Sequence, residues 1–299
     1  MIRLGYACIN TKLDPPNRTC RLKNATPERI LELASANVEA LQPILDWNAA
    51  HGIELFRITS DLIPFGSHPV NTVPWWRILK SQFARLGQSI ANKGLRVSMH
   101  PGQFTILNSP RGEVVANSVK ELEYHTAVLD ALGVDNSHKI VIHLGGIYGD
   151  KQESLSRFTE NCKRLDSRIK ARLVIENDER CYTVADALGA AKAIGVPVVF
   201  DILHHIWNPA LDALSVRSII GLAAKTWRKR DGRVKIHYSN QWPGGPRGAH
   251  SKSINVGKFL RLYDTIHDLD VDIMLEVKDK QESVLKLSQA LRARQLRAA

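Results

Sequence analysis

Six short runs of aliphatic and β-branched residues end alike, each in a side chain able to ligate a metal ion or move a proton. They are Arg96-Val-Ser-Met-His100, Lys139-Ile-Val-Ile-His143, Arg172-Leu-Val-Ile-Glu176, Pro197-Val-Val-Phe-Asp201, Val234-Lys-Ile-His237 and Asp272-Ile-Met-Leu-Glu276. The run ending at Asp201 continues Ile202-Leu203-His204-His205, so one carboxylate and two imidazoles fall where a strand would give way to a loop. Imidazole nitrogens and carboxylate oxygens are the usual ligands of first-row divalent metals. Each alone has a plainer use, since aspartate often caps a helix and a histidine is more often a hydrogen-bonded core residue. Recurrence is what gives the pattern weight.

With two further histidines on long loops, the set becomes His68, His100, His143, Glu176, Asp201, His204, His237, His250 and Glu276. Nine nitrogen and oxygen ligands exceed the needs of one tetrahedral ion. They suffice for two or three metals if a carboxylate such as Glu176 or Glu276 bridges. His51, His125, His138 and His267 fall on helices or helix ends, and His205 faces away from His204. Lys235 lies two residues before His237, so both side chains share one face of their strand. A buried ammonium must meet a carboxylate or lose its charge. The plain expectation for Lys235 is therefore an ion pair beside the metals, and the sharper one is addition of CO2 to form a carbamate ligand. Glu176, Glu276, Lys235 and His237 form the candidate catalytic group.

The elements that must position these side chains alternate regularly. Thr26-Pro27-Glu28 opens a helix with a hydroxyl cap, a proline at the first position and an acid against the dipole. Ile30, Leu33, Ala34, Val38, Leu41 and Leu45 keep helical spacing until Gly52. Strands are expected at 1–6, 53–58, 95–99, 139–143, 172–176, 197–201, 234–238 and 272–277. Further helices are expected at about 75–92, 113–132, 151–169, 182–193, 209–229 and 255–268, with a last one from 280. Asp150-Lys-Gln-Glu153 and Asp279-Lys-Gln-Glu282 each offer an aspartate N-cap with glutamate three residues on. Eight strands alternating with helices favour an α/β chain folded as a single (β/α)8 TIM barrel over residues 1–299. A doubly wound sheet would show a glycine-rich phosphate loop after its first strand, where Gly5-Tyr6-Ala7-Cys8 stands instead. In a barrel all strand C-termini open on one face, and the ligand set converges there.

The bulk properties set outer bounds. The 299 residues, 44% of them hydrophobic, are ample for a buried core. No apolar run approaches the roughly 20 residues that span a bilayer. The N-terminus lacks the core of a secretory signal, and a cytoplasmic chain is expected. Cys8, Cys20, Cys162 and Cys181 are scattered without a CxxC pair, which reads as reduced thiols. A formal charge of +11 attracts polyanions, nucleic acid first among them.

Several blocks together resemble the UV damage endonucleases: Leu4-Gly5-Tyr6 with Asn10, Ser98-Met-His100-Pro-Gly-Gln103, Ile142-His143-Leu-Gly-Gly146, Glu176-Asn-Asp178, Asp201 with His204-His205, Lys235-Ile-His237-Tyr-Ser239, Gly248-Ala-His250-Ser251 and Met274-Leu-Glu276-Val-Lys278. The likeness runs from Met1 to Lys278. It implies a TIM barrel related in site design to endonuclease IV. It also implies up to three divalent metals, manganese first with zinc or magnesium as alternatives. The implied reaction is incision of double-stranded DNA immediately 5′ to ultraviolet photoproducts, leaving a 3′-hydroxyl and a 5′-phosphate. In the family a two-residue probe after the His-Pro-Gly turn enters the DNA stack. Here that pair is Gln103-Phe104, with phenylalanine in a slot that resembles a tyrosine position, so stacking is kept and any hydroxyl contact is lost. Tyr6 and Asn10 are candidates for contacting the extruded dinucleotide.

Arg18, Arg21, Lys252 and Lys278 could grip the DNA backbone. Trp227-Arg-Lys-Arg230 and the tail Arg292-Ala-Arg-Gln-Leu-Arg297 read as solvated charge runs, and Trp75-Trp76 as packing. No membrane association or obligate protein partner is evident. The competing readings are an abasic-site endonuclease of the endonuclease IV type, a metal-dependent sugar isomerase or epimerase, and a DNA-binding barrel with a structural metal.

Overall fold

The computed structural model describes residues 2–298. Met1, counted above in the first strand, lies outside them, as does the side chain of Arg297 in the basic tail. The elements run β1 (Ile2–Cys8), α1 (Pro27–Ala50), β2 (Leu55–Ile58), α2 (Trp75–Ile78), α3 (Lys80–Asn92), β3 (Arg96–Met99), α4 (Gly112–Ala131), β4 (Lys139–His143), α5 (Lys151–Arg164) and α6 (Ser167–Arg172). They continue through β5 (Leu173–Glu176), α7 (Val184–Ile194), β6 (Val198–Asp201), α8 (Ile202–Trp207), α9 (Val216–Ala224), β7 (Val234–Tyr238), α10 (Val256–Ile266), β8 (Val271–Leu275) and α11 (Gln281–Ala298). The strands close in sequence order into one parallel barrel, with β8 paired back onto β1. The (β/α)8 expectation therefore holds.

Strand alternation sorts the side chains. Outward-facing Val97, Ile140, Ile142, Ile175, Phe200, Ile236, Ile273 and Leu275 join the apolar faces of the helices in the main core. The apolar residues on the inward face form two small clusters, Ala7, Leu55 and Met274 on one side and Val141, Val174 and Val199 on the other. Gly5 permits this closeness, since a Cβ there would lie 2.4 Å from Leu55 Cβ. Beneath these plugs Asp272 accepts Arg3 Nε at 2.7 Å and Arg96 Nη1 at 2.6 Å, and Lys139 Nζ meets Asp231 at 2.5 Å. Above the plugs lie the strand ends that carry the candidate site.

Local chemistry moves several helix boundaries. The segment expected as one helix over 151–169 breaks at Leu165, where the Asp166 side chain accepts the Arg168 N–H and starts α6. Helix 75–92 is interrupted at Leu79. Within the helical region placed at 209–229 the α-helix is confined to α9, and an additional short helix before it, α8, leaves β6 directly. His204 and His205 thus sit on a helix and not in a loop, because Asp201 caps it by accepting the His204 N–H at 2.7 Å. Asp150 caps α5 as expected, accepting the Glu153 N–H. Asp279 does not cap α11 in that way. Lys280 intervenes at φ 52, and the Asp279 carboxylate takes the Ser283 hydroxyl and Lys286.

All four cysteines are free. Among the described residues no helix is long and apolar enough to cross a membrane.

Candidate active site

Register brings the strand-end residues side by side. His143 pairs across from Glu176, and Asp201 across from His237. Glu176 is the hub. Its Oε1 lies 2.6 Å from His237 Nδ1 and its Oε2 3.2 Å from His100 Nε2. His143 Nε2 and His204 Nδ1 stand at 3.8 and 3.9 Å from the same carboxylate. Glu276 lies 3.3 Å from His237 Nδ1 through one oxygen and 3.6 Å from His250 Nε2 through the other. The rings of His100, His143, His204 and His250 form an arc with successive centroids 5.2, 5.6 and 6.2 Å apart.

Among the described residues two groups place ligand atoms within 4.8 Å of one another: His100, His143 and Glu176, and Glu176, Asp201, His237 and Glu276. Buried polar atoms are normally paired. His143 Nδ1 and Asp201 Oδ2 are buried without a hydrogen-bond partner. A set of imidazoles and carboxylates with unsatisfied ligand atoms, sharing Glu176, has the donor chemistry of a site for divalent cations.

The electrostatics agree with a cation site. Burial alone would raise the Glu176 pKa, but His237 and His143 outweigh it and hold the carboxyl well below its usual range. Glu276 is held low against the same burial by the Arg57 guanidinium and His237. Burial pushes Asp201 up, with Glu176 and Glu276 adding to the rise. His143 is pushed by burial down to about 4 and is neutral, as a ligand must be. Burial works to lower His204 too, yet Asp201 and Glu176 outweigh it and the imidazole rises to about 10, so His204 holds a proton that it would have to lose to ligate a cation.

Eight of the nine proposed ligands are thus linked by contacts, and His68 is not among them. It is exposed, and its Nδ1 accepts the Val70 N–H at 3.1 Å. Lys235 is buried, and its Nζ has no hydrogen-bond partner. Among the described residues the expected ion pair is absent for a definite reason: Asp272 is opposite Lys235 in register, but Arg3 and Arg96 already hold its oxygens. Burial, reinforced by the Arg96 and Arg57 charges, keeps the amine well below its usual pKa.

Gln103 is exposed and Phe104 is 81% exposed, so Phe104 is not a core residue. Tyr6 and Asn10, the candidates for contacting the extruded dinucleotide, lie in the interior in this structure. Both are buried, with the Tyr6 hydroxyl donating to Asn48 Oδ1 at 2.6 Å and accepting from Asn10 Nδ2 at 3.1 Å. Tyr6 takes the outward parity of β1 and packs edge-on against Phe56, away from the barrel interior.

Among the basic candidates, Lys278 rests its ammonium 3.9 Å over the Trp242 ring. Arg18 is engaged by the Pro15 carbonyl and by Asp14. The Trp227–Arg230 run precedes β7 and so belongs to the opposite end of the barrel, where Trp227 Nε1 donates to the Val198 carbonyl.

Two residues of the site escaped the sequence reading. Arg57 donates to Glu276 Oε1 and lies 3.0 Å from His237 Nε2. A guanidinium only donates, so in this arrangement His237 Nε2 accepts and its Nδ1 carries the proton directed at Glu176, and His237 would ligate a cation only once one of these two contacts gives way. The available signal was parity, because Arg57 shares the inward face of β2 with Leu55. Asn177 staples β5 to β6 through both amide atoms onto the Asp201 backbone, and its carbonyl receives His204 Nδ1 at 2.9 Å.

Fold and site together define a class, a TIM-barrel enzyme with a histidine- and carboxylate-rich centre at the C-terminal ends of its strands. The family model described as UV-endonuclease UvdE matches residues 2–297. The UV DNA damage endonuclease of Clostridium perfringens is 42% identical over 97% of this chain and 71% of its own length. That of Bacillus velezensis is 34% identical over 89% of this chain and 83% of its own. The crystal structure of SacUVDE superposes with a TM-score of 0.92 at 41% identity, covering 98% of this chain and 99% of that one. Endonuclease IV from Thermus thermophilus shares the fold, with a TM-score of 0.57 at 18% identity over 99% of this chain and 100% of that one. The chain belongs to the UV-endonuclease UvdE family.

Proposed function

We propose that this UV damage endonuclease hydrolyses the phosphodiester immediately 5′ to ultraviolet photoproducts in double-stranded DNA, leaving a 3′-hydroxyl and a 5′-phosphate. Pyrimidine dimers are the main substrate and abasic sites a secondary one. One barrel, residues 1–299, carries the activity. The observation that carries the reading is Glu176, a buried carboxylate shared among His237, His100 and His143 beside the unpartnered ligand atoms of His143 and Asp201.

His100, His143, Glu176, Asp201, His204, His237, His250 and Glu276 would hold up to three divalent cations, manganese first, and His68 would join them only by moving its loop. Bound there, such cations lower the pKa of water, neutralise charge on the phosphate oxygens and assist the leaving oxygen. The chain's own residues set the stage. Glu176 holds the imidazoles of His100 and His237 in orientation, and Arg57 fixes Glu276. No separate protein base is needed if water is activated in this way. Lys235, an unpartnered buried amine, adds CO2 at Nζ with loss of one proton and becomes a carbamate. A mass increase of one CO2 on the intact protein, lost under decarboxylating conditions, supports this, and an unmodified mass in the active protein removes it. Gln103 and Phe104 wedge into the base stack at the lesion, which their exposure permits.

The test is incision of a labelled duplex with one cyclobutane pyrimidine dimer, with and without manganese, beside undamaged and abasic duplexes. A cut just 5′ to the dimer, abolished by EDTA and restored by metal, is the expected result. Cleavage of the abasic duplex alone removes the lesion reading and leaves the centre standing.

A further inference from the structure

The loop from β7 to α10 carries His250 to the centre, and it hangs on one side chain. Gln241 Oε1 accepts the Trp207 Nε1–H at 2.7 Å and the Gly248 N–H at 3.0 Å. Its Nε2 donates to the carbonyls of Pro246 at 2.8 Å, Trp242 at 3.1 Å and Gly245 at 3.4 Å. One amide thus uses its whole donor and acceptor capacity, on the loop itself and on Trp207 outside it. The backbone completes the closure. Gln241 bridges antiparallel to His250, the Trp242 N–H donates to the Ala249 carbonyl at 2.7 Å, and the Ser251 N–H to the Asn240 carbonyl at 2.8 Å. Gly248, at φ +79, lets the loop approach Glu179, whose Cγ a Cβ there would meet at 2.6 Å.

Trp207 ends α8, the helix that carries His204, and Arg247 lies over its ring at 5.4 Å. The Trp207–Gln241 hydrogen bond therefore ties the carrier of His204 to the carrier of His250. The two imidazoles stand 6.2 Å apart, with His250 Nε2 3.6 Å from Glu276.

We propose that Gln241 is a positioning residue that fixes His250 for a cation subsite shared with Glu276, so that its loss weakens that subsite before the rest of the cluster. The inference rests on the reading that the cluster holds divalent cations. Gln241 touches no reacting atom and acts only through the loop.

The experiment is equilibrium dialysis of the full chain against Mn2+, with bound metal counted by elemental analysis and its environment followed by EPR. The proteins are wild type, Gln241→Ala, Trp207→Phe, His250→Ala and the Gln241→Ala/His250→Ala double variant. Gln241→Ala should bind one Mn2+ equivalent about ten-fold more weakly, the scale of lost outer-shell support, with an altered EPR spectrum. Trp207→Phe, which removes one hydrogen bond and keeps a ring, should shift the same equivalent less, and it carries the test if Gln241→Ala does not fold. Because Gln241 acts through His250, the double variant should bind as His250→Ala does. Wild-type Mn2+ binding in Gln241→Ala, or a further loss in the double variant, overturns the proposal and leaves the metal centre intact. A wild-type chain that binds no Mn2+ overturns both.

Discussion

Both ends of the barrel interior are lined with charge, and they use it in opposite ways. At the N-terminal end Arg3 and Arg96 share the oxygens of Asp272, Lys139 meets Asp231 and the Ala171 carbonyl, and Arg172 meets Asp130 and three backbone carbonyls. At the C-terminal end Glu176, Asp201 and Glu276 crowd together with imidazoles, with one guanidinium among them and ligand atoms left over. The first end satisfies its charges with one another and so closes the barrel. The second keeps like charges close and leaves ligand atoms open, as the proposed cation site requires. Such local inconsistency is where function is expected. Lys235 lies between the two and has the partner of neither.

The comparison can be broken most sharply at Glu176. Glu176→Ala should reduce single-turnover incision by on the order of 10³-fold and leave the thermal midpoint near wild type. A variant that incises normally would make the cluster structural. At the other end Asp272→Ala strands the buried Arg96 guanidinium and the half-buried Arg3 one and should cost about 3–5 kcal/mol, read from urea midpoints. The folded fraction should keep its incision rate, and lost activity in folded protein would mean that the two ends are not separable.

Acid sharpens the same division. Burial pushes the His138 imidazole down to about 4, and its Nδ1 accepts the Val97 N–H at 3.0 Å. The folded pKa lies below the unfolded value, so this contribution is full above about pH 6.5 and is lost as pH falls toward 4, up to on the order of 3 kcal/mol. His138→Asn should shrink the urea-midpoint difference between pH 7 and pH 4 by that amount, and an unchanged difference refutes the assignment. The smallest effect belongs to Phe104→Ala. It should weaken binding to the dimer duplex by about 1–3 kcal/mol, the worth of one base stack, and leave undamaged DNA unaffected. Equal losses on both duplexes would reduce Phe104 to a general contact.

Much of this was legible along the chain. The alternation of β-branched runs with helical spacing identified all eight strands to within a few residues, and the recurrence of His, Asp or Glu at their ends marked the centre. These are local patterns, set by periods of 2.0 and 3.6 residues that any window of the chain displays. What tertiary structure decided is relational. Parity on β1 turned Tyr6 outward, and register set His143 beside Glu176 and Asp201 beside His237. Barrel closure brought Arg57 onto Glu276 across 219 positions and gave Asp272 to Arg3 and Arg96, leaving Lys235 without an ion pair. Residue types along a strand state what each side chain can do. Which partner it meets depends on how the strands close, and no local stretch of sequence contains that information.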